Sequence, residues 1–222
     1  MSIILSSRLK TISNMVRKGS IVADIGADHG KLIISLYEEG IISHGYAVEN
    51  KKGPYSRLVE ALKNESLEDI IVPLFSDGIS DLPTNVDTLV IAGMGGENII
   101  KILTSHKEKL NHVTTIIVDA HSCIPKLRAV VTDLGFVIAD EKMVKDDNVY
   151  YEIIKFCKAD KAFYTDRDLE FGPILRNEKS ALFKEKYQNR LNDIESILNN
   201  HSLPESRIKE LLQEEKNIKG IL

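Results

Sequence analysis

Tryptophan is absent from this 222-residue chain, cysteine occurs twice, and aromatic residues make up only 6%. Cys123 and Cys157 are too few and too far apart for a disulfide framework, and there is no C-x-x-C pair. No run approaches the roughly 18 apolar residues of a membrane span. The opening MSIILSSRLK turns polar after four apolar residues, so it does not read as a secretory signal. A large excess of one charge is also missing, since 29 Lys+Arg against 33 Asp+Glu leave −4. That balance excludes a globally basic nucleic-acid binder but permits a local basic patch. From residue 161 onward 11 basic and 11 acidic residues cancel, so the acidic excess lies in the first 160. A cytoplasmic protein is expected, a monomer rather than an oligomer. With 43% hydrophobic and 28% charged residues, the composition suits one globular domain of ~150 residues plus an appendage.

Up to residue 160 the chain alternates two kinds of segment. Short β-branched runs at 21–25, 46–49, 70–75, 88–92 and 115–119 are separated by stretches of helical period. In the first such stretch Leu5, Leu9, Ile12 and Val16 recur every three or four residues. Pro54 and Pro125 fall where a first helical turn tolerates a missing N–H. Near-continuous apolar strands alternating with helices predict parallel strands buried on both faces, wound right-handed. Runs 136–144 and 149–156 then follow with only residues 145–148 between them, too few for a crossover helix, so an antiparallel hairpin is expected. Parallel strands closed by such a pair describe an α/β, Rossmann-like class I methyltransferase sheet.

From residue 161 to 222 a helical appendage is expected. Pro173 can open a long helix carrying Phe183, Tyr187, Leu191, Ile194 and Leu198 on one stripe. A turn at Asn199-Asn200-His201-Ser202 with Pro204 leads to a second helix presenting Ile208, Leu211, Leu212, Ile218 and Ile221. Two such helices joined by a short link form an antiparallel hairpin. It can pack on the core or a dimer partner, or act as an arm that grips a large substrate.

The strongest local feature is Val22-Ala23-Asp24-Ile25-Gly26-Ala27-Asp28-His29-Gly30, a strand running through a Gly turn into a helix. Gly26 permits backbone angles closed to other residues, and a ligand can lie against it. The dinucleotide pattern G-x-G-x-x-G is broken because Asp28 stands at its second Gly. An anionic side chain there repels a pyrophosphate and attracts the ammonium of a methionine moiety, which favours S-adenosylmethionine over a nicotinamide cofactor. Glu49, ending the second strand, can accept both ribose hydroxyls. Asp77 and Gly78 end the third strand, where they can meet an adenine amino group. After the fourth strand Ala92-Gly93-Met94-Gly95-Gly96 lets a flat group approach the backbone closely. Asp24, Gly26, Asp28, His29, Glu49, Asp77, Gly78 and Gly93 are the cofactor candidates. Met94, with Asp119 and His121 at the end of the fifth strand, are the candidates facing the reacting groups. The Asn/Asp-Pro-Pro-aromatic motif of amino-group methyltransferases is missing, which argues against an exocyclic amine as nucleophile. The six His show no metal-ligand spacing with each other or with the cysteines, so no metal is expected.

With these motifs in place, the chain resembles the bacterial TrmK family, the tRNA (adenine-N1)-methyltransferases that modify adenine 22. The resemblance runs from Leu5-Ser6-Ser7-Arg8-Leu9 through residues 22–29, Glu49, Lys52-Gly53-Pro54-Tyr55, Asp77-Gly78 and residues 91–96. It continues in Tyr151-Glu152-Ile153-Ile154 and in Phe171-Gly172-Pro173 with Glu178-Lys179-Ser180, covering essentially the whole chain. One departure is Asp119-Ala120-His121, where Gln-Pro-Asn is the family's pattern. The resemblance implies S-adenosyl-L-methionine as cofactor and tRNA as partner. Adenine N1 carries a lone pair at neutral pH, so positioning alone can drive transfer, and the cationic product gains from a nearby carboxylate. N1 lies on the pairing edge, so the base must be turned out of its stack. Phosphate contacts would supply the energy, with Arg8, Lys10, Arg17, Lys18, Lys51 and Lys52 as candidates, Arg8 and Lys18 lying on a face away from Leu5, Leu9, Ile12 and Val16. A small-molecule methyltransferase and an RNA-binding module with a vestigial cofactor pocket are the alternatives.

Overall fold

The computed structural model describes residues 3–160, 162–199 and 203–222, in two units, Met1–Phe163 and Tyr164–Leu222. In the first unit the strands are β1 (Val22–Ile25), β2 (Gly45–Glu49), β3 (Ile71–Phe75), β4 (Thr88–Met94), β5 (Thr115–Ala120), β6 (Phe136–Asp146) and β7 (Val149–Lys158). They form one sheet of order β3-β2-β1-β4-β5-β7-β6. The first five strands pair in parallel, and β7 inserts antiparallel between β5 and β6. This is the expected sheet with its closing hairpin. Pro73 is tolerated because β3 is the sheet's edge, where a missing donor breaks no ladder. The hairpin link is tighter than residues 145–148. Strand β6 runs to Asp146, and Asp147 and Asn148 alone turn the chain at φ 47° and 61°. Two successive positive φ values match the right-handed twist of the flanking strands, and Asp and Asn tolerate them.

Helices α1 (Ser7–Met15), α2 (Lys31–Glu38), α3 (Lys52–Asn64), α4 (Gly96–Ser105) and α5 (Ile124–Asp133) fill the connections. Ile12 and Met15 of α1, Ile33 and Leu36 of α2 and Leu58 and Leu62 of α3 join Val22, Ala47, Val90, Ile117 and Ile153 in one apolar core. Neighbouring strand residues point to the opposite face. There Ala23, Ile25, Leu89, Ile91, Ile116 and Val118 are equally buried, matched by Ile99 and Leu103 of α4 and Leu127 and Val131 of α5. Burial on both faces leaves only the strand ends for chemistry. It also fixes which face each polar strand residue meets, because side chains alternate.

The second unit holds α6 (Asp166–Phe171), α7 (Pro173–Glu178), α8 (Ala181–Leu198) and α9 (Glu205–Lys219). The long helix expected from Pro173 is interrupted. Lys179 takes a left-handed conformation at φ 46°, and the Ser180 side chain caps a new helix by accepting from Phe183 N. Phe183, Tyr187 and Ile194 are buried as the stripe requires, while Leu191 and Leu198 are half-buried. On α9 Leu211 and Ile218 are buried, but Ile208 and Leu212 face solvent, so the apolar face is narrower than expected. Asn200, His201 and Ser202 of the expected turn, and Lys161, lie outside the described residues. Among the described residues no helix is long and apolar enough to cross a membrane.

One buried ionic cluster ties α5 to the closing hairpin. Arg128, fully buried, donates from Nε to Glu141 on β6 at 2.9 Å and from Nη2 to Glu152 on β7 at 2.6 Å. Arg128→Ala would leave two buried carboxylates without their cation. A loss of about 3–5 kcal/mol is expected, read as a lower urea midpoint by circular dichroism.

Candidate functional site

A cavity of about 510 Å³ opens at the carboxyl ends of β1 to β4, lined by Gly26, Asp28, Glu49, Lys51, Asp77 and Met94 among others. Its size suits a small-molecule cofactor. The β1 turn forms one wall. Gly26 sits at φ +78°, and a Cβ there would collide with Met94 Cε. Gly26 N–H and Ala27 N–H both donate to Val48 O, at 2.8 and 3.2 Å, which holds the turn against β2. Asp28 follows at φ 48°, and its N–H donates to Glu49 Oε1 at 2.7 Å. One Glu49 oxygen thus braces the turn, and the other can accept from a ligand. The Asp28 carboxylate accepts from Arg57 Nη2 at 3.1 Å. On the far wall Asp77 accepts from Asn50 Nδ2 at 3.0 Å. Beside it Gly78 (φ +62°) lies so close to α4 that a Cβ would stand 3.0 Å from Ile102 Cγ2.

Of the cofactor candidates, Asp24 and His29 do not join the larger cavity. Asp24 lines an adjoining space of about 180 Å³ with Arg8, Gly26, Asp28, His29 and Lys31. Strand alternation is the reason, since Asp24 shares the face of Val22 and turns toward α1 and α2. The two cavities share Gly26 and Asp28. Burial pushes the Asp24 carboxyl up to about 7, and the nearby Glu49 charge adds to the shift. An anion here is under-stabilised, and a ligand cation would relieve it.

The acceptor-side candidates gather around the irregularity in β4. The register with β5 shifts between Ala92 and Met94, and Gly93 between them has φ +76°. Met94 and Gly93 line the larger cavity. Asp119, on the same sheet face as Ile117, is fully buried and forms an ion pair with Arg8. His121 N–H donates to Met94 O at 3.0 Å, and the His121 ring packs edge-on to Tyr151 at 5.7 Å. The Arg8 guanidinium lies 5.3 Å over the Tyr151 ring.

This corrects the expected basic face. Arg8, Ile12 and Met15 stand four and three residues apart on the buried stripe of α1, so Arg8 points inward rather than away from the apolar residues. Arg17 and Lys18 are exposed but lie in the link from α1 to the start of β1, at the sheet's amino edge, so they are not brought together with Arg8. Lys10 is engaged with Glu39 at 2.7 Å. Lys51 and Lys52 are exposed, Lys51 at the rim of the larger cavity. Sequence reasoning missed Asn50, Arg57 and Tyr151 as site residues, and with them Asn98, which lines the larger cavity beside Met94. Strand alternation on β7 was the available signal for Tyr151, whereas the other three carry no mark beyond closeness to a motif.

The TrmK family, described as tRNA (adenine(22)-N(1))-methyltransferase, matches residues 22–221. A tRNA (adenine(22)-N(1))-methyltransferase of Bacillus subtilis is 29% identical over 199 residues, 87% of this chain and 84% of that protein. The crystal structure of the B. subtilis tRNA methyltransferase TrmK superposes with a TM-score of 0.89 at 26% identity, covering 99% of each chain. A Streptococcus pneumoniae protein solved in complex with S-adenosyl-L-methionine gives a TM-score of 0.90 at 30% identity, covering 99% of this chain and 100% of that one.

The Asp24 shift has a consequence for stability. Between the ordinary carboxyl value of 3.8 and about 7, the folded protein holds a proton that the unfolded chain has released. Stability of the ligand-free protein therefore falls as pH rises through this window. Asp24→Asn removes the effect. The variant is expected to match the parent near pH 4 and to exceed it by a few kcal/mol at pH 8, in urea titrations across the range.

Proposed function

The chain belongs to the TrmK family of tRNA (adenine(22)-N(1))-methyltransferases, and we propose that its larger cavity holds S-adenosylmethionine while the Gly93 side of Met94 receives the adenine. The observation that carries this reading is the fit of the cavity walls to such a cofactor. Glycines at 26 and 78 stand where side chains would close the space, and carboxylates stand where hydroxyl, amine and ammonium groups need acceptors. Glu49 offers its free oxygen to the ribose, as a charged acceptor for two neutral hydroxyls. Asp77, steadied by Asn50, faces the adenine amino group. The ammonium lies where the adjoining space meets the larger cavity at Gly26 and Asp28, between the Asp28 and Asp24 carboxyls, and Asp24 becomes fully ionised as the cation arrives.

When bound, the cofactor supplies a methyl on a positively charged sulfur, electrophilic enough for an unprotonated adenine N1 to attack without a base. The chain's own contribution is alignment and electrostatics, and in-line positioning at near contact can supply roughly 7–11 kcal/mol. Gly93 leaves the approach to Met94 open, with Arg8 and His121 bordering it and Asp119 beside Ala92 on the neighbouring strand. Lys51, exposed at the cavity rim, and its exposed neighbour Lys52 are suited to contact phosphates as the base is turned out of its stack. We assign cofactor chemistry to residues 1–160 and tRNA recognition to the helical part from 161 to 222. A cytoplasmic setting accords with a tRNA substrate.

Labelled methyl transfer tests the whole reading. The purified protein is expected to methylate an unmodified tRNA transcript and to lose that activity when adenine 22 is replaced. Failure to label any tRNA would sink it. Calorimetry tests the cofactor site separately. Glu49→Ala is expected to weaken cofactor binding ~10- to 100-fold, corresponding to roughly 1.5–3 kcal/mol for hydrogen bonds to a charged acceptor.

A further inference from the structure

Asp119 is left half-satisfied. Its Oδ2 takes the Arg8 guanidinium, but Oδ1, fully buried, has no hydrogen-bond partner among the described residues. A carboxylate can accept at about four positions, and buried polar atoms are nearly always paired. The ion pair neutralises the charge without serving the second oxygen. That deficit lies beside the proposed acceptor position. Asp119 pairs in register with Ala92, next to Gly93, and a Cβ at 93 would stand 3.5 Å from Arg8 Nη1 and 3.9 Å from His121 Nε2. The bare glycine keeps clear the space that Arg8, His121 and Tyr151 border.

A donor brought by the substrate would complete the carboxylate. On the pairing edge of adenine the only N–H donor is the exocyclic N6 amine, next to N1. Guanine carries a carbonyl oxygen at the same place, which a carboxylate repels. We infer that Asp119 reads the N6 amine of the acceptor adenine and thereby orients N1 for transfer. The inference rests on the methyltransferase reading above and adds the group that selects the base. Arg8 is the cover, since its side chain is 22% exposed and lies along the Tyr151 face, where it can shift as the base enters. Methylation at N1 gives the base a positive charge shared with N6, so the same hydrogen bond strengthens as transfer proceeds. Asp119 therefore favours the transition state over the bound substrate.

The test uses two ligated tRNAs, one with adenine at the acceptor position and one with purine, which is adenine without its amine. Single-turnover rates are measured with the parent protein and with Asp119→Ala. Purine N1 is intrinsically the poorer nucleophile, but that difference is common to both proteins and cancels in the ratio of ratios. The adenine-over-purine preference of the parent is expected to fall roughly 10- to 100-fold in Asp119→Ala, with cofactor affinity unchanged. A preference that survives intact overturns the inference while leaving the methyltransferase reading in place. If the parent labels neither tRNA, both readings fail. Should Asp119→Ala not fold, the pair Arg8→Met with Asp119→Leu leaves no buried charge unmatched, and the same ratio decides.

Discussion

The site depends on how closely the β1 turn approaches the end of β4. Gly26 can sit against Met94 because it has no side chain, and its positive φ sends the chain from strand to helix within a few residues. The two backbone donations to Val48 then hold this turn beside β2. From that anchoring the rest follows in order. Asp28 is placed so that its N–H meets Glu49, Glu49 is left with one oxygen for a ligand, and the cavity opens between the two. A larger residue at 26 would have to push Met94 aside and pull the turn from β2 together. Both the cofactor wall and the approach to Gly93 would move with it.

Three buried carboxylates crowd the carboxyl edge of the sheet, and the fold treats each differently. Asp24 is buried beside the Glu49 charge and holds its proton near neutrality. Glu49 accepts a backbone N–H at one oxygen, which fixes the carboxylate beside the ligand space. Asp119 is matched by Arg8, a residue from the helix preceding the sheet. Burial makes an unmatched anion costly, so each group gains from an incoming donor, which in the proposed complex is an ammonium, a ribose and a base that turns cationic. The same low-dielectric edge that strains these groups strengthens their contacts to a ligand.

The parallel strands, the closing hairpin and the Gly turn were legible because each rests on local chemistry. Strand burial writes itself as apolar runs, a short link forbids a crossover, and Gly marks backbone angles that other residues avoid. The break at Lys179 was not legible, since nothing in a lysine announces a left-handed turn and only Ser180 hints at a new cap. Nor was the narrow face of α9, because Ile208 and Leu212 have the right spacing whatever stands opposite them.

For the site, the sequence by itself determined the class of fold, the kind of cofactor, and the glycines and carboxylates that line the larger cavity. These are set by residue type and by spacing along one strand end. What only the tertiary structure decided is direction and partnership. It turned Asp24 toward α1 and out of the main cavity, drew Arg8 from an expected solvent face onto Asp119, and left Arg17 and Lys18 at the other edge of the sheet. It also brought Tyr151 under Arg8 from a strand far along the chain. Such contacts join residues more than a hundred positions apart, as Arg8 and Asp119 are. Local pattern carries no information about them, because they exist only once the sheet order has placed β7 beside β5 and α1 has packed on the closing hairpin.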